Sequence, residues 1–137
     1  MEHAAPIFEW RKRAGPVTLT YHAVSKRYLP AGAARNESCG VGAAGWKACT
    51  SDVYLAEATA ITGPYRLIAY MKDFGPGGYF PVIPSKFLKA DGSGALMFSA
   101  FDRKAGANPP ISAYSLSVLE MQLLPPTPGN EGSNERE

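Results

Sequence analysis

Residues 62–87 read TGPYRLIAYMKDFGPGGYFPVIPSKF, and this stretch decides how the rest of the chain is divided. Tyr65 to Met71 is aromatic and aliphatic enough for a strand. Gly75-Pro76-Gly77-Gly78 interrupts it, since glycine and proline punctuate regular structure. An extended run restarts over Tyr79 to Leu88, where Pro81 and Pro84 lack the N–H that a full ladder requires. The stretch is therefore the last strand of one sheet, a glycine-rich crossing, and the first strand of a second sheet. The prolines place that first strand at an edge or innermost position.

Working outward, the N-terminal side supplies the first sheet. Pro6-Ile7-Phe8-Glu9-Trp10 is expected as an incoming edge strand. Val17 to His22 alternates with period two and is rich in β-branched and aromatic residues. Lys26 to Leu29 is its expected hairpin partner, with Pro30 as the stop. Ala31 to Thr50 is Gly- and Ala-rich without sustained periodicity and is read as a loop or insertion. Val53 to Ala58 is the third strand, and Ile61-Thr62-Gly63-Pro64 a turn.

On the C-terminal side, Asp91-Gly92 signals a hairpin turn into Ala95 to Phe101. Asp102 is expected to open a loop, with Ala105 to Pro110 as its body. Ser112 to Leu124 alternates over Tyr114, Leu116 and Val118 as a strand, with helix as the competing reading near Val118 to Leu124. Pro125 to Glu137 lacks an apolar anchor and is expected as a disordered tail. The fold class is all-β, with two four-stranded antiparallel sheets: one over residues 6–71 with an insertion at 31–51, the other over 79–124. Sheets of this size recurring at roughly 40 to 60 residues suit propeller blades. Pattern alone leaves a plain antiparallel sandwich equally open.

Composition narrows the function classes. The chain has 137 residues, 45% hydrophobic, with a formal net charge of +2. No Lys/Arg block of five or more occurs, so a nucleic-acid groove is not expected. No run of about 18 apolar residues exists, so no helical membrane span is expected. Glu2 and His3 stand where a signal peptide needs positive charge, and no compartment follows from the sequence. Cys39 and Cys49 suit a disulfide or two reduced thiols equally. With His3 and His22 they lack zinc-site spacing, and neither metal nor cofactor is expected.

Three motif matches carry little. Gly40 to Gly45 spells GxGxxG, but a dinucleotide fingerprint must follow a strand and open a helix, and no helical stripe follows here. Asp73-Phe74-Gly75 lacks the catalytic loop that a kinase needs upstream. Asn36-Glu37-Ser38 matters only in a secretory route.

The string GPYRLIAYMKDFGPGGYFPVIPSKFLKADGSGALMFSAF, followed by NPPISAYSLSVLEMQLL, resembles the closing blades of five-bladed β-propellers of the family-43-type glycosidase-like fold. The matching features are the TGPY turn, the KDFGPGGYF crossing, the IPSKF inner strand, the DG hairpin and the final aliphatic strand. The resemblance implies a carbohydrate-binding funnel on a propeller axis, with catalytic carboxylates on inner strands. Five blades need roughly 250 residues, so this chain supplies about two, a partial propeller. None of the family's acidic residues can be placed by motif. The expected function is a carbohydrate-active, glycoside hydrolase-like fragment without complete catalytic machinery. The alternative is a non-catalytic β-rich interaction module.

A glycosidase needs two carboxyl groups about 5 Å apart for retention or roughly 6.5 to 9.5 Å for inversion. The candidates are Glu9, Asp52, Glu57, Asp73, Asp91, Asp102 and Glu120. Asp91 is taken by its turn, and Glu57 and Glu120 fall on strands expected to be outer. Glu9 beside Trp10 and Asp73 beside Phe74 have the best local settings, because aromatic walls stack on sugars and raise a carboxyl pKa. A solvated surface carboxylate is the plainer reading of both. Trp10, His22, Phe74, Tyr79, Ser85 and Lys86 are the ligand-binding candidates. Their plainer reading is a turn histidine, packed aromatics and exposed strand polars. The expected partners are an oligosaccharide and a second copy of the chain, paired through open sheet edges.

Overall fold

The computed structural model describes residues 6, 9–10, 15–35, 41–42, 45–46, 50–76, 78–103 and 112–125. Its regular structure is β apart from one 3₁₀ turn. In chain order the strands are β1 (Val17–His22), β2 (Arg27–Arg35), β3 (Val41–Gly42), β4 (Gly45–Trp46), β5 (Thr50–Glu57), β6 (Arg66–Pro76), β7 (Tyr79–Val82), β8 (Ser93–Arg103) and β9 (Ser112–Gln122). The first sheet runs β1-β2-β5-β6 and the second β7-β8-β9, with antiparallel neighbours throughout. The second sheet thus has three strands among the described residues where four were expected. No sheet closes on itself among those residues.

Several boundaries differ from expectation, each for a local reason. Pro30 does not stop β2. It sits opposite Leu19 of β1, whose ladder runs on to Val17↔Gly32. On the β5 side, Tyr28 bridges Ala58 and Ala31 faces Leu55 in one constant register, so Pro30 falls opposite Ala56. Its missing N–H drops one bond from that ladder without ending the strand.

The first residues of the expected loop, Ala31 to Arg35, continue β2, and Ala31, Gly32, Ala33 and Ala34 are buried. Small residues covered on both faces carry no alternation to read. Within Gly40 to Gly45, β3 and β4 pair as a short antiparallel hairpin, not as a strand leading into a helix. Pro6, Glu9 and Trp10 belong to no strand. Asp102 lies within β8 and opens no loop. The inner-strand reading of IPSKF fails, because Ser85–Phe87 is a 3₁₀ turn that follows Pro84. Asn36, Cys39, Cys49, Ala105 to Pro110 and 126–137 lie outside the described residues.

Other expectations hold. The strand reading of Ser112 onward wins over helix. Asp91 accepts from the Ser93 N–H at 2.8 Å and from its hydroxyl at 2.7 Å, while Gly92 takes a φ of 85° that favours glycine. β7 is an edge strand, a position that suits Pro81. It pairs with β8 only at Tyr79↔Ser99 and Val82↔Met97, so one extra residue bulges out between them. Phe80 in that bulge has a φ of 50°.

The second sheet lies across one face of the first. The carbonyls of Pro81 and Ile83 accept from the hydroxyls of Thr18 at 2.6 Å and Thr20 at 2.5 Å. Two hydroxyls of β1 thus satisfy backbone oxygens in and just after β7 that have no strand beside them. Between the sheets, Leu29, Ala31, Ala33, Val53 and Leu55 meet Ile83 and Leu96. Phe74 packs edge-on against Phe98 at 4.7 Å. Each fully buried aliphatic side chain here stabilises the fold by about 1.5–3 kcal/mol. The strands that approach across the interface are β1, β2 and β5 with β7, and β6 with β8. Toward β9 the sheets leave a cleft of about 590 Å³ lined by Leu55, Leu67, Met71, Leu96, Leu119 and Met121.

Candidate functional site

The first sheet is also occupied on the face turned away from this core. Strand periodicity sends Val53 and Leu55 inward, so Asp52 and Tyr54 project outward. Register places Tyr54 between Gly32 on β2 and Tyr70 on β6. A Cβ at position 32 would lie 2.3 Å from the Tyr54 ring, so only glycine lets that ring lie over β2. Trp10 closes the group, edge-on to Tyr54 at 5.6 Å and tilted against Tyr70 at 5.8 Å.

The same place carries a carboxylate. Ser51 faces Phe74 and Val53 faces Met71, so β6 holds one extra residue over this span. Asp73 takes a φ of 53° within it, a conformation that Asp tolerates better than most residues. The bulge turns the Asp73 N–H toward Asp52 Oδ1 at 3.0 Å, and the Tyr70 hydroxyl donates to Asp52 Oδ2. Asp52 is only 6% exposed, so these donors stabilise a carboxylate that burial would otherwise penalise. Burial also raises the Tyr54 phenol above its ordinary pKa. The result is a partly exposed aromatic surface, Trp10 with Tyr70, with the exposed Asp73 adjoining and Asp52 beneath.

The sequence candidates divide around this cluster. Trp10 and Asp73 are both in it. Glu9 is exposed and adjoins Trp10 in the chain. Phe74 points instead into the interface between the sheets. Tyr79 packs against the exposed Phe80 at the β7 bulge. Ser85 and Lys86 are exposed on the 3₁₀ turn, and Lys86 borders a shallow groove of about 900 Å³ with Phe87, Met97, Val118 and Glu120. Trp10, Phe74, Tyr79 and Phe80 line neither this groove nor the cleft toward β9.

His22 is buried, with both ring nitrogens engaged. Nε2 lies 3.1 Å from the Lys89 carbonyl, which only accepts, so Nε2 carries a proton. Nδ1 lies 2.7 Å from the Ser25 hydroxyl. The ring therefore ties the end of β1 to the connection between β7 and β8.

Glu57 lies on β5, an interior strand, rather than on an outer one. Arg27 donates to it at 2.5 Å and Arg66 holds its other oxygen. Burial pushes its carboxyl up, but the hydrogen bonds from Arg66 and Arg27 and their charges outweigh that and hold it below its ordinary range. It is therefore ionised at neutral pH and unsuited to donating a proton.

Tyr54, Tyr70 and the buried role of Asp52 were not singled out from the sequence. The available signal was phase: Asp52 and Tyr54 share one side of β5, while the room that Gly32 leaves for the ring depends on register. Among the described residues no three His, Cys, Asp or Glu side chains cluster to hold a metal ion, and no helix is long and apolar enough to cross a membrane. No family model, curated protein or solved structure matches the chain.

Proposed function

We propose that the chain is a carbohydrate-binding fragment of a glycoside hydrolase-like β-propeller, about two blades in extent and without a complete catalytic set. The observation that carries the reading is the Trp10–Tyr70 aromatic surface beside Asp73 and Asp52. Flat aromatic faces pack against the apolar face of a sugar ring, and carboxylates accept from its hydroxyls. Support for blades comes from the connectivity. Each sheet's strands are ordered along the chain, and the crossing after β6 brings β7 back beside β1.

Titrating the purified chain with an oligosaccharide panel, followed by tryptophan fluorescence and calorimetry, tests the reading. Binding is expected for at least one sugar and should disappear in Trp10→Ala and Tyr70→Ala while both variants remain folded. Indifference to every sugar, or binding untouched by both substitutions, sinks it.

A second reading, a β-rich interaction module, is favoured by a different observation. Val17, Leu19 and Tyr21 project from β1 away from the core, and Leu19 is 43% exposed. Charged substitution of Leu19 should abolish partner capture under that reading and leave sugar binding intact under the first.

A further inference from the structure

Among the described residues, the four edges of the two larger sheets are not alike. An edge strand offers unpaired N–H and C=O groups to any passing strand, and proteins blunt such edges with prolines, bulges, short length or lysine. β7 has four residues, a proline and a bulge. β6 has three register shifts against β5, the left-handed Asp73, Lys72 and Pro76. β1 has only six residues, and its threonines are engaged with β7 and the residue after it.

β9 has none of these devices. Its eleven residues, SAYSLSVLEMQ, run in unbroken register with β8. The strand contains no proline, glycine, lysine or arginine, and Glu120 is its one charge. Apolar side chains are exposed on both of its faces: Leu116 is 65% exposed and Val118 62% on one, and Leu119 45% on the other. Such an edge favours strand addition, because the main-chain bonds and the burial of those side chains act together.

We propose that β9 is a self-association edge, and that two copies of the chain pair antiparallel through it to join their second sheets into one six-stranded sheet. This deepens no part of the sugar-binding reading and stands apart from it. Self-pairing suits the strand's composition. Pairing over its full length puts the two-fold axis at its midpoint, Ser117. Leu116 then faces Val118 of the second copy, two exposed aliphatic residues on the sheet face turned away from the core. Glu120 falls opposite Tyr114, not opposite another Glu120, so no like charges meet.

The test needs no ligand: sedimentation equilibrium of the purified chain and of charge variants at 116 and 118. The wild type is expected to show a concentration-dependent monomer–dimer equilibrium. L116K/V118K and L116E/V118E, each placing like charges across the axis, should dimerise about tenfold more weakly or worse. An equimolar mixture of the two should recover a heterodimer, and L116K/V118E, which pairs Lys with Glu across the axis, should dimerise on its own. Circular dichroism distinguishes loss of pairing from loss of fold, and recovery in the mixture requires folded partners. A wild type that stays monomeric at high concentration overturns the proposal. So does a dimer that survives both like-charge variants, or one lost on Leu19→Lys but not on them.

Discussion

β5 and β9 have similar aliphatic content and opposite fates. In β5, every residue from Ser51 to Glu57 is buried, including Asp52 and Glu57. In β9, Leu116, Val118 and Leu119 are left largely exposed. The difference comes from neighbours and not from hydrophobicity. β5 has strands on both sides, the second sheet on one face, and Trp10 and Tyr70 on the other. β9 has β8 on one side and a cleft in place of a close opposing strand. A strand's apolar side chains stabilise a fold only where other elements remove them from water.

The largest loss of stability is expected at Tyr54. Tyr54→Ala should cost about 4 kcal/mol, because it empties the space over Gly32 and removes the ring that Trp10 packs upon. Urea denaturation measures this directly. A loss under 1 kcal/mol would mean that the outer face of the first sheet is not packed as described.

Next in size is Glu57. Glu57→Ala should cost about 3 kcal/mol, since it strands the largely buried Arg27 without its partner. Arg66→Ala should cost only about 0.5 kcal/mol, because Arg66 is 56% exposed. The pH dependence has a definite sign. The folded carboxyl sits below its ordinary value of 4.5, so its contribution is present in full above that pH and fades as pH falls through the lower folded value. The stability gap between wild type and Glu57→Gln should therefore hold steady down to about pH 4.5 and close below it. A gap that closes instead near neutrality contradicts an ionised, arginine-held Glu57.

The smallest effect sharpens the other side of the contrast. Leu116→Ala and Val118→Ala should each change monomer stability by less than about 0.5 kcal/mol, as exposed positions do. Measured at low protein concentration, a larger loss would show that β9 is covered within the single chain.

Much of the topology was legible because its signals are local. The alternation in Val17 to His22, the Asp91-Gly92 turn, the Gly75 to Gly78 break and the proline of β7 each act through backbone geometry within a few residues. Of the candidate site, Trp10 and Asp73 were legible as an aromatic beside Glu9 and a carboxylate beside Phe74. Their meeting through Tyr54, Tyr70 and Asp52 was not, because it depends on a bulge in β6 and on register across three strands.

The all-β character, the division at Gly75 to Gly78, and an edge or innermost position for β7 were readable from the residues alone. These follow from φ restrictions, missing N–H groups and period-two alternation, which are properties of short segments. Only the packed chain places Ala31 to Ala34 inside a doubly covered strand, makes His22 a tie between β1 and the β7–β8 connection, and leaves β9 an edge among the described residues. Each of those outcomes depends on which distant residue arrives opposite, and that is set by packing the whole chain at once.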